Sequence, residues 1–173
     1  RPLAKIRHPD NALRQAQDGE QSRTRSRVVA RDDKKELEIK TILTSFVQYA
    51  TGFRQDIEAL GRLKQDRFLV VNATQGFGVF PIDVKKWQAD FLVTNSYKWL
   101  MAGYGGGILY LRKSWLEKFM PLSMGWRSVN APEKMDNQGT DIKQTASRYE
   151  GGCPNFPAIF AIGAAIDYLN QIG

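Results

Sequence analysis

A continuous apolar run that ends in polar side chains occupies residues 68–75, Phe68-Leu69-Val70-Val71-Asn72-Ala73-Thr74-Gln75. A run without polar alternation is typical of a strand covered on both faces, and such strands belong to the parallel sheets of α/β proteins. The pattern returns at Asp90-Phe91-Leu92-Val93-Thr94 and, after a glycine-rich stretch, at Gly107-Ile108-Leu109-Tyr110-Leu111. The sequence therefore predicts an α/β fold, in which ligands bind outside the carboxyl ends of the strands.

Further elements are predicted on both sides of these strands. A short apolar run predicts a first strand over residues 42–47, and apolar residues at helical spacing predict a helix over residues 54–64. Ser114 is expected to cap a short helix that ends at Phe119. A C-terminal helix is predicted with an apolar face made of Ile159, Ile162, Ile166 and Leu169.

Length and composition restrict the class of protein. The 173 residues fit one domain or a piece of a larger one, and the 42% hydrophobic and 25% charged residues are typical of folded proteins. Because no apolar run approaches the roughly 18 residues of a membrane span and no secretory leader is visible, we expect a cytoplasmic protein without membrane contact. The single histidine, His8, and single cysteine, Cys153, exclude a His-containing triad, an internal disulfide and a Cys-based zinc cluster built from this chain alone. No metal site is expected.

Residues 1–40 differ in composition from residues 41–173. They carry 11 Lys and Arg against 7 Asp and Glu, with few large apolar residues, so they are expected to form an irregular or poorly ordered segment ahead of the folded part. Basic clusters can bind nucleic acid by releasing counterions. The segment lacks interleaved aromatic residues, and no nucleic-acid-binding signature follows it, which argues against a nucleic-acid partner.

Three places along the chain could carry chemistry. Lys98 follows a buried-strand pattern among apolar and aromatic neighbours, where desolvation would free its amine for Schiff-base chemistry; the alternative is a surface lysine. The glycine run from Gly103 to Gly107 matches neither common phosphate-binding motif, so a flexible connection close to a ligand or partner chain is favoured. The polar residues from Asn72 to Gln75 fit either an Asx-type turn or a flat-ligand site, and both interpretations stay open.

In their order along the chain, these segments resemble one family. The shared elements are a turn over residues 47–52, the stretches Val71–Gln75, Asp90, Ser96–Leu100 and Gly103–Tyr110, and the motif Arg148-Tyr149-Glu150-Gly151-Gly152-Cys153-Pro154-Asn155. Together they are similar to the class V aminotransferase group of fold type I pyridoxal-phosphate enzymes, which also contains cysteine desulfurases, kynureninases and amino-acid epimerases. The resemblance covers about residues 41–173. It implies part of the cofactor-binding large domain of a longer enzyme, a three-layer α/β/α domain that is incomplete here.

The resemblance also implies roles for individual residues. The cofactor would be pyridoxal 5'-phosphate, the substrate a small-molecule amino acid, and the protein a PLP-dependent transferase that works as a homodimer with shared active sites. Lys98 matches the lysine that holds the cofactor as an aldimine and moves protons at the substrate α-carbon. Gln75 matches the residue that hydrogen-bonds the cofactor's phenolic oxygen, with Thr74 beside it. Tyr97 matches a tyrosine that kynureninase-like members place against the cofactor phosphate, where desulfurases usually have a histidine. Cys153 replaces a threonine that reaches the partner's cofactor phosphate.

One departure from the family affects the expected chemistry. Asn72 stands where the family has an aspartate, whose carboxylate keeps the pyridine ring protonated and thereby withdraws electrons from the substrate. A neutral amide can hydrogen-bond the ring but cannot stabilise its charge, so we hypothesise that the cofactor binds while transamination is slowed. The alternative function is a catalytically impaired or noncatalytic remnant of the fold that acts as a binding module. Transamination, sulfur elimination, epimerisation and C–C cleavage all stay open.

Overall fold

The structure of the chain is a computed structural model that describes residues 40–134 and 141–173. The expected irregular segment, residues 1–40, lies outside the described residues except for Lys40. The regular elements are β1 (Thr41–Ser45), α1 (Ile57–Leu63), β2 (Phe68–Asn72), β3 (Phe91–Asn95), β4 (Gly107–Leu111) and α2 (Phe156–Ile172). No helix in this part of the chain is long and apolar enough to cross a bilayer.

The four strands form one mixed sheet in the order β1-β2-β3-β4. The first three strands are parallel, as predicted, with Ser45 opposite Asn72 and Asn72 opposite Val93. β4 runs antiparallel to β3, so that Asn95 faces Gly107. The connection between β3 and β4 contains no helix, whereas a parallel crossover needs about a dozen or more residues and usually a helix. The ends of β1, β2 and β3 and the start of β4 therefore share one margin of the sheet, called here the carboxyl edge.

One face of the sheet carries the hydrophobic core. Leu69 and Val71 of β2 are 0% exposed and pack in one cluster with Ile57 of α1. The second helix covers the same face, because Ile166 and Leu169 of α2 line an apolar cleft of about 650 Å³ together with residues of β3 and β4. Both helices thus lie against the face that β2 fills with its buried side chains.

The opposite face of the sheet is only partly covered by the described residues. Leu43 is 72% exposed, Val93 39% and Leu109 48%. The expectation that the strands are covered on both faces is therefore not met within residues 40–134 and 141–173. A mixed sheet with helices on one face agrees with an incomplete three-layer α/β/α domain.

Polar caps set the ends of the helices. α1 begins at Ile57, later than predicted, because Asp56 lies outside the helix and its Oδ1 accepts a hydrogen bond from the Ala59 N–H at 2.8 Å. α2 begins after Asn155, whose Oδ1 accepts from the Ala158 N–H at 3.2 Å. Both helices predicted from apolar periodicity are confirmed.

The predicted helix from Ser114 to Phe119 is wrong. Only a single 3-10 turn, Lys113–Trp115, forms there, and Ser114 lies inside it instead of capping it. The hydrogen bonds of this stretch are those of successive tight turns, from the Leu116 N–H to the Lys113 carbonyl and from the Lys118 N–H to the Trp115 carbonyl. Trp115 and Phe119 pack edge-on against Phe68, with ring centroids 5.0 and 5.4 Å away.

The margin of the sheet opposite the carboxyl edge contains a buried charge network around Asp90. This side chain is 0% exposed. It accepts hydrogen bonds from Lys64 Nζ at 2.7 Å, the Leu69 N–H at 2.9 Å and the Trp115 indole at 2.8 Å, and Arg112 Nε lies 3.2 Å away. Burial raises the pKa of the Asp90 carboxyl, but the hydrogen bonds and the guanidinium charge lower it by more, so it lies below the usual 3.8. Asp90 is therefore a structural anion, far along β3 from Lys98.

Candidate functional site at the carboxyl edge

Asn72 is the last residue of β2, and its side chain is held by the next turn. Its Oδ1 accepts the backbone N–H of Thr74 at 3.0 Å, which confirms the Asx-type turn. A backbone N–H can be accepted only by the amide oxygen, so the Nδ2 group keeps both of its donors. The turn therefore occupies one end of the amide and leaves the other end for a ligand.

The Gln75 side chain is also held through its amide oxygen, by a residue of the loop that follows β3. Its Oε1 accepts the indole N–H of Trp99 at 3.1 Å, across 24 positions of sequence. The Nε2 group of Gln75 is then left with its two donors. Sequence reasoning did not identify Trp99 as a site residue; the signal was an indole directly after the candidate lysine, whose N–H needs an acceptor.

Lys98 lies in the turn that follows β3, next to two stacked aromatic rings. Its Nζ is 5.3 Å from the centroid of the Tyr97 ring, and Tyr97 stacks on Tyr104 with centroids 4.6 Å apart. Lys98 is exposed, so the burial required for the predicted desolvation is not found in this part of the chain. No carboxylate of the described residues lies within salt-bridge distance of its amine, which leaves Lys98 open to a reaction partner.

Ser96 fastens the glycine-rich connection to the lysine turn. It is 0% exposed, and its Oγ lies 2.6 Å from the Gly103 carbonyl oxygen and 2.9 Å from that of Gly106. The Ala102 N–H also donates to the Ser96 carbonyl at 2.9 Å. The connection expected to be flexible is thus tied at both ends to the residue two positions before Lys98. Sequence reasoning did not single out this serine.

The motif at residues 148–155 reaches the same glycine connection through Asn155. The Nδ2 of Asn155 lies 3.4 Å from the Gly105 carbonyl oxygen, and a Cβ added at Gly105 would come within 2.5 Å of that nitrogen. Gly105 also has a φ of 85°, a conformation that glycine adopts without strain. The glycine is therefore required for the close approach of the two segments.

The remaining residues of this motif have different surroundings. Arg148 is buried and donates to the Leu116 carbonyl at 2.8 Å and to Gln144 Oε1 at 3.2 Å, so its pairing is with a carbonyl and not with Glu150. Cys153 is an exposed free thiol. It has no hydrogen-bond partner among the described residues, whereas Asn72, Gln75, Tyr97 and Lys98 are grouped at the carboxyl edge. Within residues 40–134 and 141–173 no group of three or more His, Cys, Asp or Glu could hold a metal ion.

The chain matches the family model for aminotransferase class V over residues 25–173. It is 34% identical over 140 residues to the uncharacterized aminotransferase YcbU of Bacillus subtilis (strain 168). The alignment covers 78% of this chain and 36% of that protein.

Two solved structures are similar in fold. The apo structure of the cysteine desulfurase from Thermococcus onnurineus NA1 has a TM-score of 0.70 and 30% identity, over 78% of this chain and 33% of that one. A C-DES mutant with glycine covalently linked to the PLP cofactor has a TM-score of 0.68 and 22% identity, over 78% of this chain and 36% of that one. The chain spans about a third of the length of the proteins it matches. It belongs to the aminotransferase class V family, whose members are pyridoxal-phosphate enzymes.

Proposed function

We propose that this chain is the cofactor-binding part of a pyridoxal-phosphate-dependent enzyme that acts on an amino acid, with Lys98 as the residue that holds the cofactor. The observation that carries the proposal is the grouping of Lys98 with two oriented amides at the carboxyl edge. The Asn72 and Gln75 oxygens are engaged at 3.0 and 3.1 Å, so both side chains keep donors for a ligand. Ligands of open α/β sheets bind at this edge.

The residues at the edge fit the chemical groups of the cofactor. Its ring nitrogen and phenolic oxygen are acceptors that suit the donors of Asn72 and Gln75. Its aldehyde suits the amine of Lys98, which is exposed and without an ion pair in the described residues. Its phosphate suits the hydroxyl of Tyr97. The Thr74 hydroxyl makes no hydrogen bond within the described chain, so it also keeps its donor for the cofactor. When bound, the cofactor supplies an electron-withdrawing ring for reactions at the substrate α-carbon.

Each residue of the proposed site then has a defined task. Gln75, oriented by Trp99, donates from Nε2 to the phenolic oxygen, and Asn72 donates to the ring nitrogen. Tyr97 binds the phosphate, and the amine of Lys98 holds the cofactor and moves the proton at the substrate α-carbon. Ser96 keeps the lysine turn in place through its contacts with Gly103 and Gly106. Positioning of this kind supplies a large part of catalysis in cofactor enzymes.

The lysine assignment is tested by reductive trapping. The complete protein is loaded with pyridoxal 5'-phosphate, reduced with borohydride, digested and mapped by mass spectrometry. The cofactor is expected on the peptide that contains Lys98, and Lys98→Ala should lose both the trapped adduct and the visible absorbance of the lysine-bound cofactor. Lys118→Ala is a matched control, because Lys118 is also exposed and its Nζ lies 4.7 Å from an aromatic centroid, that of Trp115. Trapping on another lysine, or none, would contradict the proposal.

The shared active site of a homodimer is part of the same proposal. Cys153 would lie next to the cofactor phosphate of the partner, where its weak S–H donor replaces a hydroxyl. Because the thiol is exposed in the single chain, cofactor or inorganic phosphate should slow its alkylation in the dimer. The alkylated Cys153 peptide is quantified with and without each ligand. Equal alkylation in every condition would refute the assignment of Cys153.

A noncatalytic binding module is the second candidate function, and Asn72 in place of an acidic residue is the observation that favours it. Cofactor trapped on Lys98 without turnover of amino acids by transamination, desulfuration or epimerisation would support this alternative.

A further inference from the structure

We propose that Asn72 binds the ring nitrogen of the cofactor in its unprotonated form, by donating a hydrogen bond from Nδ2. This inference rests on the proposed function and adds to it the protonation state of the bound ring. It follows from the direction of one hydrogen bond, in which the Thr74 N–H donates to Asn72 Oδ1, and from the absence of a carboxylate at residue 72 of the sequence.

The amide of Asn72 has only one orientation that satisfies its turn. The Thr74 N–H donates to Oδ1 at 3.0 Å. Rotating the amide by half a turn would place an NH₂ group against that N–H and set two donors against each other. The oxygen therefore stays on the Thr74 side, where one of its two lone pairs is used, and Nδ2 is the donor that Asn72 can present to a ligand.

The backbone around Asn72 is held from both neighbouring strands. Its carbonyl accepts the Phe46 N–H at 2.9 Å, and the next N–H, that of Ala73, donates to the Val93 carbonyl at 2.8 Å. The N–H of Gly76 closes the turn on the Ala73 carbonyl at 2.8 Å. Such a framework fixes the backbone on both sides of Asn72, so the distance between its side chain and the Thr74 N–H is set by the fold.

A donor at this place selects the protonation state of the ring. An unprotonated pyridine nitrogen carries a lone pair that accepts a hydrogen bond, whereas a protonated one carries a hydrogen that needs an acceptor. The Nδ2 of Asn72 can only donate, so a protonated ring would meet a second donor. The buried anion of β3, Asp90, lies at the opposite edge of the sheet. It is therefore too far from Asn72 to stabilise a positive ring.

The protonation state changes what the bound ring can do. An unprotonated ring withdraws electrons less strongly, so charge that develops at the substrate α-carbon is stabilised less. Reactions that build up a lasting negative charge at the substrate α-carbon should therefore be slowed most. Reactions in which that negative charge is spread over other atoms, or is neutralised quickly, should be slowed less. An acidic side chain at residue 72 would have the opposite effect on electron withdrawal by the ring.

The test is the ¹⁵N NMR signal of cofactor labelled at its ring nitrogen and bound to the complete protein. The wild type is expected to show the chemical shift of an unprotonated pyridine at neutral pH. Asn72→Asp retains an acceptor for the Thr74 N–H and should show the shift of a pyridinium in the same buffer. Asn170→Asp makes the same chemical change on the exposed side of α2 and should give the wild-type signal.

A second measurement uses an analogue in which CH replaces the ring nitrogen. If Nδ2 donates to that nitrogen, the wild type should bind the analogue about tenfold more weakly than the natural cofactor, the loss expected for one hydrogen bond.

A pyridinium signal in the wild type, with the cofactor trapped on Lys98, would overturn this inference and leave the proposed function intact. If nothing is trapped and only the signal of free cofactor appears, the proposed function falls as well. Equal affinities for cofactor and analogue would also count against the donor role of Asn72.

Discussion

The indole N–H of Trp99 donates to Oε1 of Gln75 over 3.1 Å, and this contact joins the turn after β2 to the loop after β3. It also determines which end of the Gln75 amide is available. With the oxygen engaged by the indole, the Nε2 group is the end that can meet an acceptor on a ligand. In the proposed site, Trp99 is therefore a positioning residue that acts through Gln75.

Replacing Trp99 by phenylalanine removes the indole donor while keeping an aromatic ring. Gln75 then loses its orientation, because either end of its amide can face the ligand. Affinity for pyridoxal 5'-phosphate should fall about three- to tenfold, the loss of one oriented hydrogen bond. A spectroscopic titration of the apoprotein with the cofactor measures the dissociation constant.

The control for this substitution is Trp126→Phe. Trp126 is partly exposed, at 41%, and makes no side-chain hydrogen bond within the described residues. Its replacement should leave the affinity unchanged. If both tryptophan variants weaken binding equally, the effect comes from lost aromatic surface and not from the orientation of Gln75.

Asn72→Asp should accelerate any transamination half-reaction of the complete protein. A carboxylate can accept a hydrogen bond from a protonated ring and stabilise its charge, which a neutral amide cannot do. A hydrogen bond to a charged group contributes about 1.5 to 3 kcal/mol, so the expected gain is tenfold or more. Single-turnover kinetics with an amino-acid donor measure it, and an unchanged rate would show that the ring charge does not limit the reaction.

The sequence was sufficient to predict the parallel part of the sheet, both regular helices and the edge of the sheet at which Asn72, Gln75 and Lys98 lie. Uninterrupted apolar runs such as Phe68–Val71 are typical of strands in parallel sheets, and polar residues directly after them mark the carboxyl edge. The antiparallel direction of β4 was not predicted, since it depends on the conformation of the glycine connection.

Contacts between distant segments were harder to predict from the sequence. The partner of Arg148 was left open between Glu150 and a carbonyl, and the structure shows the carbonyl of Leu116, 32 positions away. The predicted helix at Ser114 is wrong, and the structure there shows Trp115 in contact with Asp90 and Phe68. Local propensity contains neither contact, since both arise only when the sheet brings residues from separate strands together.

Ser96→Ala should loosen the loop that carries Lys98. The hydroxyl is buried, and its removal takes away the single hydrogen that the Gly103 and Gly106 carbonyls share. We expect a loss of roughly 1 to 2 kcal/mol in the free energy of unfolding, together with a higher dissociation constant for the cofactor. Urea unfolding and cofactor titration measure the two effects. Ser123→Ala, at an exposed serine, should change neither; a stable Ser96→Ala variant with normal affinity would contradict the positioning role.

Asp90→Asn should destabilise the fold and remove part of its sensitivity to acid. The substitution leaves the buried Lys64 amine, 2.7 Å from Asp90 Oδ2, without its anion, and breaking a buried pair costs about 3 to 5 kcal/mol. Because the pKa of Asp90 is lowered in the folded protein, its stabilisation is full above the unfolded value of 3.8 and is lost as pH falls through the folded value. Urea unfolding at pH 7 and at pH 3 should therefore show a smaller difference in the variant than in the wild type. Glu58→Gln removes the solvent-accessible pairs with Arg62 and Lys86 and should cost less than about 1 kcal/mol at pH 7. An Asp90→Asn variant as stable as the wild type at pH 7 would show that the Asp90 network does not hold this edge of the sheet together.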